Sequence, residues 1–280
     1  MIRLPSASEA TWKDGISASD HLPVRKTGEW AVEKHQHLTY YGKIFATSMK
    51  NVFENRVYIE LFAGPGRCRF PDNKESAGSP LQMMDCDLTK FAFIEKNIHA
   101  AKALDARIKT HPMADRVQVY CGDCAKAVSK IALPTSRCLA LTFVDPTGIS
   151  HCPFTLIQVL RQRIRTDLLI NFPHGMGLKM NQHQYTATSA EQSIVTKFLG
   201  TNQWVKSLDK KPADFVRGVL DIYKKQLLKL DYLTGNREVL IYAQNRTPLY
   251  LLLFASRNQL GVDFWDETMK GVQQPEFSFT

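Results

Sequence analysis

Val57-Tyr58-Ile59-Glu60-Leu61-Phe62-Ala63-Gly64-Pro65-Gly66 decides how this chain folds. The first six residues read as a strong strand, which runs straight into a turn carrying two glycines. Bare backbone at the end of a strand lets a ligand come close, because no side chain blocks the approach. Donors at the following turn can hold an anionic group. An ordinary tight turn between strand and helix uses the same residues, so the loop acquires meaning only from its surroundings.

Working outward, Leu38, Tyr41 and Phe45 recur at the spacing of one helical face, which predicts a helix from Glu29 to about Lys50. Downstream, Arg67 to Gly78 is polar and reads as a connection, and Ser79-Pro80 opens a short helix as cap and first-turn proline. Phe91–Glu95, Arg116–Tyr120, Cys138–Val144 and Asp167–Phe172 read as four further strands. The third of these is nearly unbroken in apolar residues, as a strand buried on both faces should be. Helices are predicted between them at Asn97–Lys109, Ala125–Ala132 and Phe154–Arg163. The rhythm then breaks. Residues 174–187 read as an exposed loop, with helices following at Ala190–Leu199 and Ala213–Leu230. Glu238–Tyr242 and Leu249–Phe254 are apolar strands only a few residues apart. A parallel crossover needs a dozen or more residues, so this pair must be antiparallel. The order predicts a doubly wound, Rossmann-like α/β sheet, mostly parallel, closed by a C-terminal antiparallel strand. Residues 1–27 are expected to form a loosely ordered arm, and residues 28–280 one domain with an inserted segment around 174–235.

Composition is that of a globular protein, 44% hydrophobic and 22% charged over 280 residues. No apolar run approaches the roughly 20 residues that span a bilayer, and no secretory pattern opens the chain. A membrane partner is therefore not expected. The six cysteines are scattered through a chain too large to need staples, so reduced thiols in a cytoplasmic setting are expected. Cys121-x-x-Cys124 has no second pair at zinc-site spacing, and no metal is expected. The formal charge of +9 favours anionic partners.

Acidic residues follow the strands in order. Glu60 precedes the glycine loop, Glu95 ends the second strand, Asp123 follows the third in Gly122-Asp123, and Asp145 follows the fourth. Open sheets bind ligands at the carboxyl ends of their strands. Glu95 is placed to accept two ribose hydroxyls and Asp123 an adenine amino group. A nicotinamide fingerprint wants a third glycine where Arg69 stands, and its sheets lack the terminal hairpin. The pattern therefore points to S-adenosylmethionine, held by Glu60, Phe62, Ala63, Gly64, Gly66, Glu95, Gly122 and Asp123.

The segments Tyr58–Gly66, Gly78-Ser79-Pro80, Phe93-Ile94-Glu95, Gly122-Asp123 and Asp145-Pro146-Thr147-Gly148 together resemble the three-Cys-motif partner protein family. Lys34, His35, Leu38 and Lys43 before the first strand, and Phe254-Ala255-Ser256 near the end, extend the likeness from about residue 28 onward. The resemblance implies a methyltransferase-like fold and a separate partner protein with a three-cysteine motif. Members commonly carry an aromatic residue where Thr147 stands, so no stacking role is implied there.

Asp145-Pro146 occupies the place of the segment that orients the target in amino-group methyltransferases acting on nucleic-acid bases. Asp145 and Pro146 are thus the candidate catalytic pair, accepting hydrogen bonds from an amino group and aligning its lone pair. A turn after a strand explains the same two residues, and the sequence leaves both readings open. A flipped base would need a stacking platform, for which Phe172 and Tyr185 are candidates. Arg161, Arg163 and Arg165 form a dense basic run that suits phosphates or a solvated face alike. Methyl transfer to an amino group of a nucleic acid is the leading expectation. A silent cofactor-binding module serving a partner protein is the first alternative and a nicotinamide oxidoreductase the second.

Overall fold

A computed structural model describes residues 12–134, 136–175, 178 and 189–270. In chain order the elements are β1 (Arg25–Lys26), α1 (Trp30–Ser48), β2 (Asn55–Leu61), β3 (Arg67–Arg69), β4 (Glu75–Ala77), α2 (Ser79–Met83), β5 (Lys90–Glu95) and α3 (Ile98–Ile108). Then follow β6 (Val117–Cys121), α4 (Cys124–Val128), β7 (Cys138–Val144), α5 (Phe154–Arg163) and β8 (Thr166–Pro173). The chain continues with α6 (Ile194–Leu199), α7 (Pro212–Leu228), β9 (Leu233–Thr234), β10 (Val239–Tyr242), β11 (Pro248–Ser256) and α8 (Gln259–Lys270).

The strand quoted first lies in the middle. β2 pairs in parallel with β5 on one side and β7 on the other, and the large sheet runs β10-β11-β8-β7-β2-β5-β6. β11 is antiparallel to both β8 and β10, so it is the one reversed strand in that run. Side chains alternate across the sheet. Val57, Ile59 and Leu61 join a core that includes Ile157 of α5, Phe198 of α6 and Val219 of α7. Tyr58 faces the opposite core, with Leu38 and Phe45 of α1, Leu104 of α3 and Trp265 of α8. Helices thus cover both faces, which explains why the central strands carry almost no exposed residue.

Three expectations need correction. The connection from Arg67 to Gly78 contains a hairpin: β3 and β4 pair antiparallel, and β1 adds to β3 in parallel. Strands of two or three residues carry no readable alternation, which is why the hairpin was not legible. Ser79 does not cap α2. Gly78 is the cap residue, and the buried Ser79 hydroxyl points instead at Glu60. Nor is the arm loose between residues 12 and 27. Arg107 of α3 is 7% exposed and donates to Asp20 at 2.8 Å, to the Pro23 carbonyl at 2.7 Å and to the Pro65 carbonyl at 2.6 Å. One guanidinium therefore ties the N-terminal segment to the glycine loop, while Val24 is fully buried. Helix α8, which follows the last strand, was not foreseen.

The guanidinium hydrogen bond from Arg107 holds the Asp20 carboxyl down at about 2. A depressed folded pKa means the pair stabilises the fold above the ordinary carboxylate range and loses that contribution as pH falls through about 2. Arg107→Ala removes the guanidinium from Asp20 and from the Leu22, Pro23 and Pro65 carbonyls. We expect it to cost about 3 kcal/mol in urea unfolding at pH 7 and to expose the 12–24 segment to limited proteolysis. Wild-type protease resistance in that variant would show that other contacts hold the segment.

Candidate active site

The chain leaves β2 through three left-handed residues: Phe62 at φ 68°, Gly64 at φ 66° and Gly66 at φ 80°. Each glycine is required for a different reason. A β-carbon on Gly66 would lie 2.7 Å from Leu104 Cδ1, so this residue lets α3 pack against the loop. A β-carbon on Gly64 would meet no protein atom within 4 Å. Gly64 therefore bares its backbone to open space. The loop is gripped from below: Gly64 N–H donates to Glu95 Oε2 at 2.8 Å, and Asn97 N–H donates to Glu95 Oε1 at 2.7 Å.

The expected cofactor acids are consequently busier than the sequence suggested. Glu95 is 7% exposed, and each of its oxygens already accepts a backbone N–H, leaving one lone pair on each for a ligand. Asp123 is exposed at the carboxyl edge, with Oδ1 capping α4 through the Ala125 and Lys126 amides. Gly122 beside it has φ 149° and open space where a side chain would be. Glu60 does not face the cleft. It is 1% exposed and accepts from the Ser79 hydroxyl at 2.6 Å and the Tyr58 hydroxyl at 2.8 Å. Burial pushes its carboxyl up to about 8, with the nearby Asp145 charge adding to the shift against the two hydrogen bonds. At neutral pH Glu60 is therefore largely protonated, and it ties β2 to Ser79 at the start of α2.

Asp145 meets residues from two other elements. Lys34 Nζ of α1 donates to Oδ2 at 2.5 Å, and Asn171 Nδ2 of β8 donates to Oδ1 at 2.6 Å. The Lys34 ammonium also lies 5.8 Å from the centre of the Tyr250 ring on β11. Burial alone would lower the Lys34 pKa; the Asp145 carboxylate outweighs it and holds the ammonium above its ordinary value. Burial and the Lys34 charge push the neighbouring His35 down to about 3, so that ring is neutral. A cleft of about 310 Å³ opens here. Its walls are Phe62 to Cys68, Gly78 to Pro80, Asp145 to Thr147, the α1 start and the docked segment with Asp14, Arg25, Lys26 and Thr27. Ala63 and Pro146 line the cleft, whereas Glu95 and Asp123 lie outside it.

The other expected residues are not brought here. Phe172 is fully buried between Phe198 and Tyr223, so it cannot stack on a base. Tyr185 falls outside the described residues. Arg161 is tied to the Leu230 carbonyl and Asp231, while Arg163 and Arg165 precede β8, roughly 17 Å of strand away from Asn171. Lys34 as a partner of Asp145, Asn171 and Tyr250 were missed as site residues. One signal was available: Lys34, Leu38, Tyr41 and Phe45 share a helical face, and a lysine on an apolar face requires a buried counter-charge. Asn171 and Tyr250 sit in apolar strands and carry no such mark.

No protein-family model and no curated protein matches the sequence. Solved structures with a similar fold include protein LPL1258 from Legionella pneumophila, at 12% identity over 89% of this chain and 94% of that one, with a TM-score of 0.49. TYW2 from M. jannaschii, in complex with AdoMet, is 11% identical over 81% of this chain and 75% of its own, with a TM-score of 0.43. The O-methyltransferase from Bacillus cereus, in complex with SAH, is 10% identical over 81% and 90%, with a TM-score of 0.43. At these values the likeness stops at the general arrangement of sheet and helices. The strand order and the reversed β11 define a Rossmann-like sheet of the methyltransferase type. No described helix is long and apolar enough to cross a membrane.

Two measurements check this geometry. A raised folded pKa means that Glu60 favours folding most below about 4.5 and costs stability progressively as pH rises to about 8. Glu60→Gln, which cannot ionise, should flatten the fall in unfolding free energy across that window; an unchanged profile would place the titration elsewhere. Gly66→Ala should lower stability by roughly 2–3 kcal/mol, combining left-handed strain with the Leu104 contact. Gly64→Ala should cost only the strain, about 1 kcal/mol.

Proposed function

We propose that this chain binds S-adenosylmethionine across the glycine loop and the carboxyl ends of β5 and β6, and transfers its methyl group to an acceptor seated in the cleft. The observation that carries the reading is Gly64: a left-handed glycine, gripped by Glu95, that opens bare backbone onto unfilled space beside Asp145. Main chain bared to open space in this way fits a ligand pressed against the backbone. Phe62, Ala63 and Gly66 shape that space, Glu95 keeps two lone pairs for ribose hydroxyls, and Gly122 leaves room beside the Asp123 carboxylate. The cofactor supplies an activated methyl group on a positively charged sulfur.

Asp145 is the residue that addresses the acceptor. Lys34 and Asn171 fix its two oxygens from opposite sides, so its remaining lone pairs point in set directions. A carboxylate held in this way can accept an N–H from an incoming amino group and orient the lone pair, a contribution of alignment and not of proton abstraction. The charged Lys34 has no lone pair, so it positions Asp145 and takes no proton. An amino group of a nucleic acid remains the acceptor we favour, supported by Asp145-Pro146 after the fourth parallel strand and by Lys26 in the cleft wall, where Arg25 and Arg67 are already paired with acids. Phe172 no longer supports it. For a three-cysteine partner protein, the support is the sequence resemblance alone. The Lys34–Asp145 pair also favours a second reading, in which a satisfied carboxylate leaves a binding module without catalysis.

Calorimetric titration with S-adenosylhomocysteine, together with single-turnover transfer of tritiated methyl to RNA, DNA and cell extract, separates these readings. Glu95→Gln should weaken S-adenosylhomocysteine by about tenfold to a hundredfold, the range for a hydrogen bond to a charged group. Asp145→Ala should leave that affinity within about twofold and slow transfer at least a hundredfold, on the order of 3 kcal/mol. Asp145→Asn should be milder, since its amide oxygen still accepts one hydrogen bond. Tight cofactor binding with no transfer to any acceptor would establish the silent module, and no cofactor binding would remove both.

A further inference from the structure

The edge of the sheet opposite the cleft carries a pattern that methyl transfer does not use. Six neighbouring strands each have a cation at this amino edge. In sheet order they are Arg257 just after the reversed β11, Arg165 before β8, Arg137 before β7, Arg56 in β2, Lys90 opening β5 and Arg116 before β6. Adjacent strands lie 4.7–4.9 Å apart, so the row extends about 24 Å. The Cys138 thiol at the start of β7 senses both Lys90 and Arg165, as the register requires.

None of the six forms an ion pair with a carboxylate among the described residues. Their hydrogen bonds go to neutral carbonyls instead. Arg137 donates to the Asn51 and Val52 carbonyls, Arg116 to Leu88, and the buried Arg56 to Phe53, Glu54 and Asp87. Arg165 stacks on the Phe53 ring at 5.0 Å. These contacts hold four of the six side chains without an ion pair, although Asp87 lies within the field of Arg56 and Arg116 and Asp167 within that of Arg165. Helix C-termini, which this fold directs at the same edge, supply only partial negative charge. The exposed acids in the same loops are Glu54, Asp85, Asp87 and Asp115; Asp87 is already paired with Lys50 and Asp85 faces His111, while the buried Asp167 lies near Arg165.

We propose that this amino edge is a docking surface for the phosphodiester backbone of a nucleic acid, separate from the cleft. Five of the six cations are arginines, whose planar forks match phosphate oxygens, and five of the six are exposed. A row of cations outside any ion pair, one to each neighbouring strand, suits a linear polyanion. A protein partner would want an apolar centre. Among the described residues of the loops that carry Arg56, Lys90, Arg116, Arg137 and Arg165, Val52 is the only exposed large apolar residue, and Leu260 is the one near Arg257. The surface stands whether or not the cleft takes the cofactor, because it shares no residue with it.

The test is fluorescence anisotropy with labelled single-stranded RNA, single-stranded DNA and duplex DNA, from about 50 to 200 mM salt. Lys90→Gln, Arg165→Gln and Arg257→Gln are combined in one variant. A control of equal net charge combines Lys197→Gln, Lys206→Gln and Lys225→Gln, all exposed and none in the row. The edge variant should bind at least tenfold more weakly near 100 mM salt. Its dependence of log K on log salt should flatten by about two, given roughly 0.7–0.9 for each phosphate that is no longer neutralised. The control should bind like wild type, and the preference among the three probes identifies the kind of strand. Absence of salt-dependent binding in wild type, an equal weakening in the control, or competition by polyglutamate as effective as by RNA would each overturn the assignment. Thermal midpoints and S-adenosylhomocysteine titrations of both variants distinguish a damaged fold or cleft from a disabled surface.

Discussion

Lys34 and Asp145 are the constraint around which the carboxyl edge is built. An ammonium and a carboxylate removed from water each lose several kcal/mol of hydration, which only close contact and further hydrogen bonds can offset. Here that contact is 2.5 Å, with Asn171 satisfying the second carboxylate oxygen and the Tyr250 ring facing the ammonium. The four residues come from α1, the loop after β7, β8 and β11. If any of those elements moved, a charge would be stranded. The pair therefore fixes where the first helix crosses the sheet, and explains why a reversed strand at the far end matters to a site near the middle.

A second, uncharged lock sits beside it. Glu60 is protonated among Tyr58 and Ser79, while Glu95 remains a hydrogen-bond acceptor for two backbone amides. Both acids follow the same logic of burial, yet their partners differ. Hydroxyls can donate to or accept from a neutral carboxyl, whereas two N–H groups demand an acceptor on each oxygen. Glu95 thereby holds the glycine loop at Gly64, and Arg107 adds a second hold through the Pro65 carbonyl. A loop with three left-handed residues needs such over-determination to persist.

Charge divides the sheet into two unlike edges. At the carboxyl edge, Lys34 is matched by Asp145, Arg25 by Asp14, and Arg107 by Asp20. At the amino edge the cations rest on carbonyls and a ring, and their charge is left to solvent. Of the basic run, Arg161 is paired with Asp231, whereas Arg165 belongs to this second edge. Parallel strands make that unavoidable: a residue placed before a strand cannot reach a site placed after it.

The parallel strands, the reversed last strand and the glycine turn were legible in the sequence because hydrophobic period, short connection and bare backbone are local properties. The acids at the strand ends were legible too, although not what they bind, since hydrogen-bond partners such as the Gly64 amide or the Ser79 hydroxyl are set by packing. Lys34 was half legible, as a cation on an apolar helical face whose counter-charge lay 111 residues away. The N-terminal segment read as loose because its own residues show no period, and its hold comes from Arg107 in a distant helix. Phe172 read as available because a sequence does not say which face of a strand is covered. Local pattern determined the elements and their order. Tertiary structure alone decided which polar groups were taken, because burial makes a hydrogen bond or an ion pair obligatory only once two distant segments have closed around it.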